Sequence, residues 1–134
     1  MRLCAERISS LPDRPRLLGV TVLTSFSDLS EFGVMRAVPE QAQALAGLAS
    51  ESGMDGIVCS PAELPLLRPQ FPAPFLMVTP GIRGVDDAKG DQKRTATPRA
   101  ALTSGADYLV IGRPIIAAAD PKAAAQRIAD SLSE

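Results

Sequence analysis

Two short segments of the 134-residue chain place an arginine just past a glycine: Thr79-Pro80-Gly81-Ile82-Arg83 and Ile111-Gly112-Arg113-Pro114. Glycine lets backbone approach a ligand closely, and a guanidinium offers a planar fork of donors matched to phosphate or carboxylate. Anion binding is the chemistry that these pairs suggest. Two more segments, Thr21-Val22-Leu23-Thr24-Ser25 and Cys59-Ser60-Pro61, add hydroxyls. The sequence has no histidine, which removes the commonest general base and every Ser-His or Cys-His nucleophile pair. Cys4 and Cys59 lie far apart in apolar company and read as buried small hydrophobes. Without histidine, and with no carboxylates at ligand spacing, they make no zinc site, so no metal is expected.

These segments need elements to hold them. Four apolar runs read as buried strands: Leu17–Thr24, Gly56–Ser60, Phe75–Thr79 and Tyr108–Gly112. They are apolar continuously rather than alternately, as in a parallel sheet covered on both faces. Helical patterns lie between them. One starts at Pro39, runs through Gln41–Ser52 and stops at Gly53. Another opens on Thr97-Pro98 and stops at Gly105, and Asp120-Pro121 begins the last. The crossover from Pro61 through Pro74 is broken by prolines and has room for a reduced helix only.

The motif Ser-Gly-apolar-Asp-x-apolar-apolar occurs twice, from Ser52 and from Ser104. In each copy glycine fits the left-handed residue after a helix, and Asp turns the chain into the next strand. This is the repeat of a β/α array, with four parallel strands and right-handed crossovers. An open sheet or part of a (β/α)8 barrel would satisfy it, and in both the active site lies at the C-terminal strand ends. The four hydroxyl- and arginine-bearing segments all fall there. The residues between Arg83 and Thr97 form a long polar loop, and structureless loops of that length usually function, here as a lid.

Composition excludes other classes. Lys+Arg number 14 against Asp+Glu 15, the basic residues form no run, and Trp 0, Tyr 1 and Phe 4 leave no stacking platform. No nucleic-acid partner is expected. The apolar runs fall far below the ~20 residues that span a bilayer, so no membrane partner is expected either. The N-terminus has no apolar stretch of signal-peptide length, which points to the cytoplasm.

Four segments in order carry a more specific signal: Gly19-Val20-Thr21-Val22-Leu23-Thr24-Ser25, Thr79 to Arg83, Gly90-Asp91-Gln92-Lys93-Arg94, and Gly105 to Ile115. Together they resemble the orotidine 5′-phosphate decarboxylase family from about Leu17 to the C-terminus. The resemblance implies a (β/α)8 barrel that converts orotidine monophosphate to uridine monophosphate without cofactor or metal. It implies that Arg83, Gln92 and Arg113 grip the phosphate, with Gln92 on the closing loop and backbone N–H groups near Gly112 assisting. Thr24 would contact the pyrimidine and Pro80 would wall the same pocket. The family's catalytic Asp-x-Lys-x-x-Asp signature is absent: Asp87-Ala88-Lys89-Gly90-Asp91-Gln92 ends in Gln, and Asp120-Pro121-Lys122-Ala123-Ala124-Ala125 ends in Ala.

A barrel of this kind takes ~250 residues. The expectation is therefore the C-terminal half of a (β/α)8 barrel: one partial domain over 1–134 carrying strands five to eight, with 1–16 a remnant of the preceding helix and linker. It would bind a nucleotide monophosphate and cover its open face with a second copy or a partner half-barrel. Two other readings stay in view: a non-catalytic phosphate- or partner-binding remnant, and a phosphosugar lyase or epimerase on a related barrel.

Overall fold

The structure, a computed structural model, describes residues 1–84 and 94–133. The four apolar runs supply four parallel strands: β1 (Leu18–Val20), β2 (Gly56–Val58), β3 (Leu76–Thr79) and β4 (Tyr108–Leu109), in spatial order β1-β2-β3-β4. Val20 lies beside Val58, Val58 beside Val78, and Val78 beside Tyr108. Sequential parallel neighbours are what right-handed β-α units lay down. The strands are shorter than the apolar runs. After Val20 the chain turns, with the Phe26 N–H donating to the Leu23 carbonyl at 3.0 Å, so residues 21–24 become a strand-end loop.

Helices α1 (Arg2–Ile8), α2 (Val38–Glu51), α3 (Leu64–Leu67), α4 (Pro98–Thr103), α5 (Arg113–Ile116) and α6 (Pro121–Ser133) join and flank the strands. The expected start signals operate. Thr97 Oγ1 accepts the Ala100 N–H at 3.3 Å, and Asp120 Oδ1 accepts the Ala123 N–H at 3.0 Å. Gly53 (φ 76°) and Gly105 (φ 105°) take the left-handed conformation that ends α2 and α4. The proline-broken crossover holds a 3-10 turn at Pro61–Glu63 and the four-residue α3. Cys4 departs from expectation: it is exposed, because α1 buries no residue.

The two sheet faces differ. Ile57 and Met77 are fully buried under Ala46 and Ala49 of α2, Leu64 and Leu67 of α3, and Ala101 of α4. Side chains alternate along a strand, so Val20, Val58, Val78 and Tyr108 point the other way. There Val20 is 58% exposed and Tyr108 57% exposed. The fold is four parallel strands with helices on one side, half of a (β/α)8 barrel whose interior face is open.

The repeated aspartates do more than turn the chain. Asp55, just before β2, accepts the Leu17 N–H at 2.7 Å and both ends of the Arg14 guanidinium at 2.8 and 2.6 Å. Asp107, just before β4, accepts the Met77 N–H at 2.7 Å and pairs with Arg68. Each carboxylate thus ties the strand that follows it to the start of its neighbour. The hydrogen bond from Arg14 holds the Asp55 carboxyl at about 2. Burial opposes that shift, while the Leu17 N–H and the charges of Arg14 and Arg16 reinforce it.

A carboxyl depressed in the folded state contributes stability above its unfolded pKa and loses it as pH falls through the folded one. Asp55→Asn keeps an acceptor for Leu17 but loses the ion pair. Urea melts should show it less stable than the parent by about 1 kcal/mol at pH 7, a figure discounted for solvent screening at Arg14. The gap should close between about pH 4 and pH 2. A gap that persists at pH 2 would refute the charge origin.

Candidate functional site

Residues from the C-terminal ends of β1, β2 and β3 meet around one pocket. Val20, Val22, Leu23, Thr24 and Ser25 from β1 and its exit, Val58 and Cys59 from β2, and Pro80 from β3 line a pocket of ≈ 130 Å³. Thr24 is buried, and the Thr21 hydroxyl donates to the Val58 carbonyl at 2.9 Å, pinning the exit of β1 to β2. Two residues singled out from sequence, Thr24 and Pro80, therefore share one pocket from opposite sides. Cys59 in its wall is buried, and that burial pushes its thiol up to about 11. It stays a neutral thiol at physiological pH and is no nucleophile.

The two arginines are placed differently. Arg83 is buried: its Nη1 donates to the Ile82 carbonyl at 2.6 Å, and its main-chain N–H donates to the Ala96 carbonyl at 3.0 Å. Its Nε is buried without a hydrogen-bond partner among the described residues. Gly112 is the residue before α5, with φ −103° and ψ −90°, and Arg113 opens that helix, exposed at the end of β4. A Cβ on Gly112 would meet nothing within 4 Å, so the glycine leaves open space beside its backbone. Gln92, and most of the loop read as a lid, fall outside the described residues.

Sequence reasoning missed one constellation. Glu63 is 1% exposed and pairs with Arg94. Its Oε2 accepts the Ser60 N–H at 3.0 Å while the Ser60 hydroxyl accepts the Ala62 N–H at 3.2 Å, a reciprocal cap on the turn after β2. Arg94 also donates through Nη2 to the Leu23 carbonyl at 2.9 Å and the Val22 carbonyl at 3.2 Å. Its guanidinium therefore bridges the exits of β1 and β2 behind the pocket. The signal was legible in part: Ser60-Pro61-Ala62-Glu63 is a capping box, but nothing local says which cation Glu63 meets.

Among the described residues no group of three or more His, Cys, Asp or Glu could hold a metal ion. No described helix is long and apolar enough to cross a membrane.

Comparison with known proteins adds lineage to this geometry. Residues 1–128 match the orotidine 5′-phosphate decarboxylase / HUMPS family. Orotidine 5′-phosphate decarboxylase of Coxiella burnetii is 53% identical over 121 residues, covering 89% of this chain and 51% of that protein. The Idiomarina loihiensis enzyme of the same name is 44% identical over 136 residues, covering 100% of this chain and 59% of its own. In three dimensions the chain is similar to crystalline orotidine 5′-phosphate decarboxylase from Lactobacillus acidophilus, with a TM-score of 0.76 and 38% identity, across 93% of this chain and 52% of that one. The chain spans about half the length of the curated relatives it matches.

Proposed function

The chain belongs to the orotidine 5′-phosphate decarboxylase / HUMPS family, and from that premise we propose that it supplies the nucleotide-binding half of an orotidine 5′-phosphate decarboxylase. The observation that carries the reading is the shared pocket. Thr24 and Pro80 open onto one small cavity at the strand ends, and Arg83 and the Gly112-Arg113 turn follow β3 and β4 at the same end of the sheet. A pyrimidine ring would sit against Thr24, Cys59 and Pro80. Its phosphate would lie toward Arg113 and the backbone near Gly112, with Arg83 and Gln92 as further donors by resemblance. Binding energy gathered at the remote phosphate can be spent on assembling the site around the ring.

Decarboxylation needs a group that stabilises or protonates the carbanion formed when carbon dioxide leaves. This chain carries no Asp-x-Lys-x-x-Asp sequence. In the proposed division of labour those groups come from the other half of the barrel, residues 1–134 being strands five to eight. That half would pack against the open row of Val20, Val58, Val78 and Tyr108, from a longer polypeptide or a separate partner half-barrel, and the work would proceed in the cytoplasm.

The test uses the purified 134-residue chain. Titration calorimetry should detect uridine monophosphate binding, and the absorbance of orotidine monophosphate should stay constant on prolonged incubation. Turnover by this chain would refute the division of labour, and absence of binding would refute the nucleotide reading.

A further inference from the structure

We infer that Glu63 and Arg94 are positioning residues that fix the chain returning to α4 against the exits of β1 and β2, and so align the two sides of the proposed nucleotide pocket. The inference deepens the reading above and rests on it for its ligand. Three observations carry it. The first is burial: Glu63 is almost wholly inaccessible, and an isolated carboxylate there would be costly. It is retained with two partners, Arg94 and the Ser60 N–H.

The second is reach. Arg94 grips two successive carbonyls, of Val22 and Leu23, both residues of the pocket wall. A tie needed only to neutralise Glu63 would not have to bind the adjoining strand exit. The third is continuity. Two residues on, Ala96 accepts the Arg83 N–H at 3.0 Å and donates to the Gly81 carbonyl at 3.4 Å, forming a parallel bridge between Ile82 and Ala96. One short stretch, residues 94–96, is thereby bound to the exits of β1, β2 and β3 together. The same stretch fixes the main chain of Arg83 and the wall beside Thr24.

An ion pair is not a stability device by default, since desolvation offsets much of its attraction. What this one provides is register: the guanidinium is a rigid fork, and its acceptors define where residue 94 must sit. Burial pulls the Arg94 guanidinium down from its ordinary value, a cost that the acceptors around it must offset.

The discriminating variant is Glu63→Gln. It keeps shape and volume, but its amide offers one oxygen, which can serve either Ser60 or Arg94 and not both. Amide hydrogen exchange on the 134-residue chain is the readout. Exchange at Arg83 and Ala96 should speed up about tenfold. The amides of Cys59 and Asp107, which donate to Val78 and Met77 within the sheet, should keep their rates. Arg94→Gln should reproduce the pattern, and the double variant should add little to either single change.

In the same variants uridine monophosphate should bind about tenfold more weakly. Unchanged exchange at Arg83 and Ala96 would overturn the inference. So would acceleration spread evenly over the sheet, because that is what a purely structural role produces. Should Glu63→Gln not fold, Arg94→Gln decides by the same criterion. A parent chain that binds no uridine monophosphate refutes the nucleotide reading, while the exchange data still decide the tie.

Discussion

Arg113→Ala is expected to weaken uridine monophosphate binding roughly 30-fold, a far larger effect than its shift of the chain's urea midpoint. The size follows from the bond removed. A guanidinium–phosphate pair is charge-assisted and bidentate, and its loss costs about 2 kcal/mol, with each 1.4 kcal/mol worth tenfold in affinity. The small effect on the fold follows from position, since an exposed contact contributes under about 1 kcal/mol. Arg113 is exposed and opens a four-residue helix with no buried residue. Arg113→Lys should recover only part of the loss, because an ammonium lacks the planar fork. Unchanged calorimetric affinity in Arg113→Ala would remove Gly112-Arg113 from the binding site.

Gly56→Ala carries the largest expected effect on stability. Gly56 pairs with Leu18 of β1 on one side and Leu76 of β3 on the other. A Cβ there would lie 2.3 Å from the Leu76 carbonyl oxygen and 2.6 Å from its Cβ. The obstacle is main chain in the middle of the sheet, so β2 and β3 must separate. Overpacking of this kind costs about 3 kcal/mol, and a urea melt should register it in full. Gly47→Ala is the control: it lies inside α2 with nothing within 4 Å of its would-be Cβ. There alanine should stabilise by about 0.5–1 kcal/mol through helix propensity. A Gly56→Ala chain as stable as the parent would show that the strands have slack at that point.

Much of this was legible in the residues, and the reason is physical. Strand positions followed from continuous apolar runs, because burial on a parallel sheet writes itself into consecutive side chains. Helix starts at Thr97 and Asp120 and stops at Gly53 and Gly105 followed from local backbone needs. Thr24 and Pro80 reached one pocket because both sit at strand exits. Other features were illegible for the opposite reason. The pairing of Glu63 with Arg94 spans 31 residues, and that of Arg14 with Asp55 spans 41. No local pattern states which charges tertiary structure will bring together. The short helix α5 was hidden as well, since four residues are too few to establish a period. The burial of Arg83 was unexpected for a related reason: composition marks a cation, but only packing decides whether it turns toward solvent.

The sheet has two outer strands, β1 and β4, and all four strands run the same way. That fixes the symmetry of any ring that a second copy completes with parallel pairing throughout. Each new seam must then join strands of the same direction. Two copies joining edge to edge into such a ring are related by a twofold axis running along the strands. A perpendicular axis would set the edges antiparallel. With the axial twofold, β1 of each copy meets β4 of the other at two equivalent seams, eight strands in all. Both sets of strand exits then face the same end of the ring, so the two Arg113 side chains stand across a common mouth.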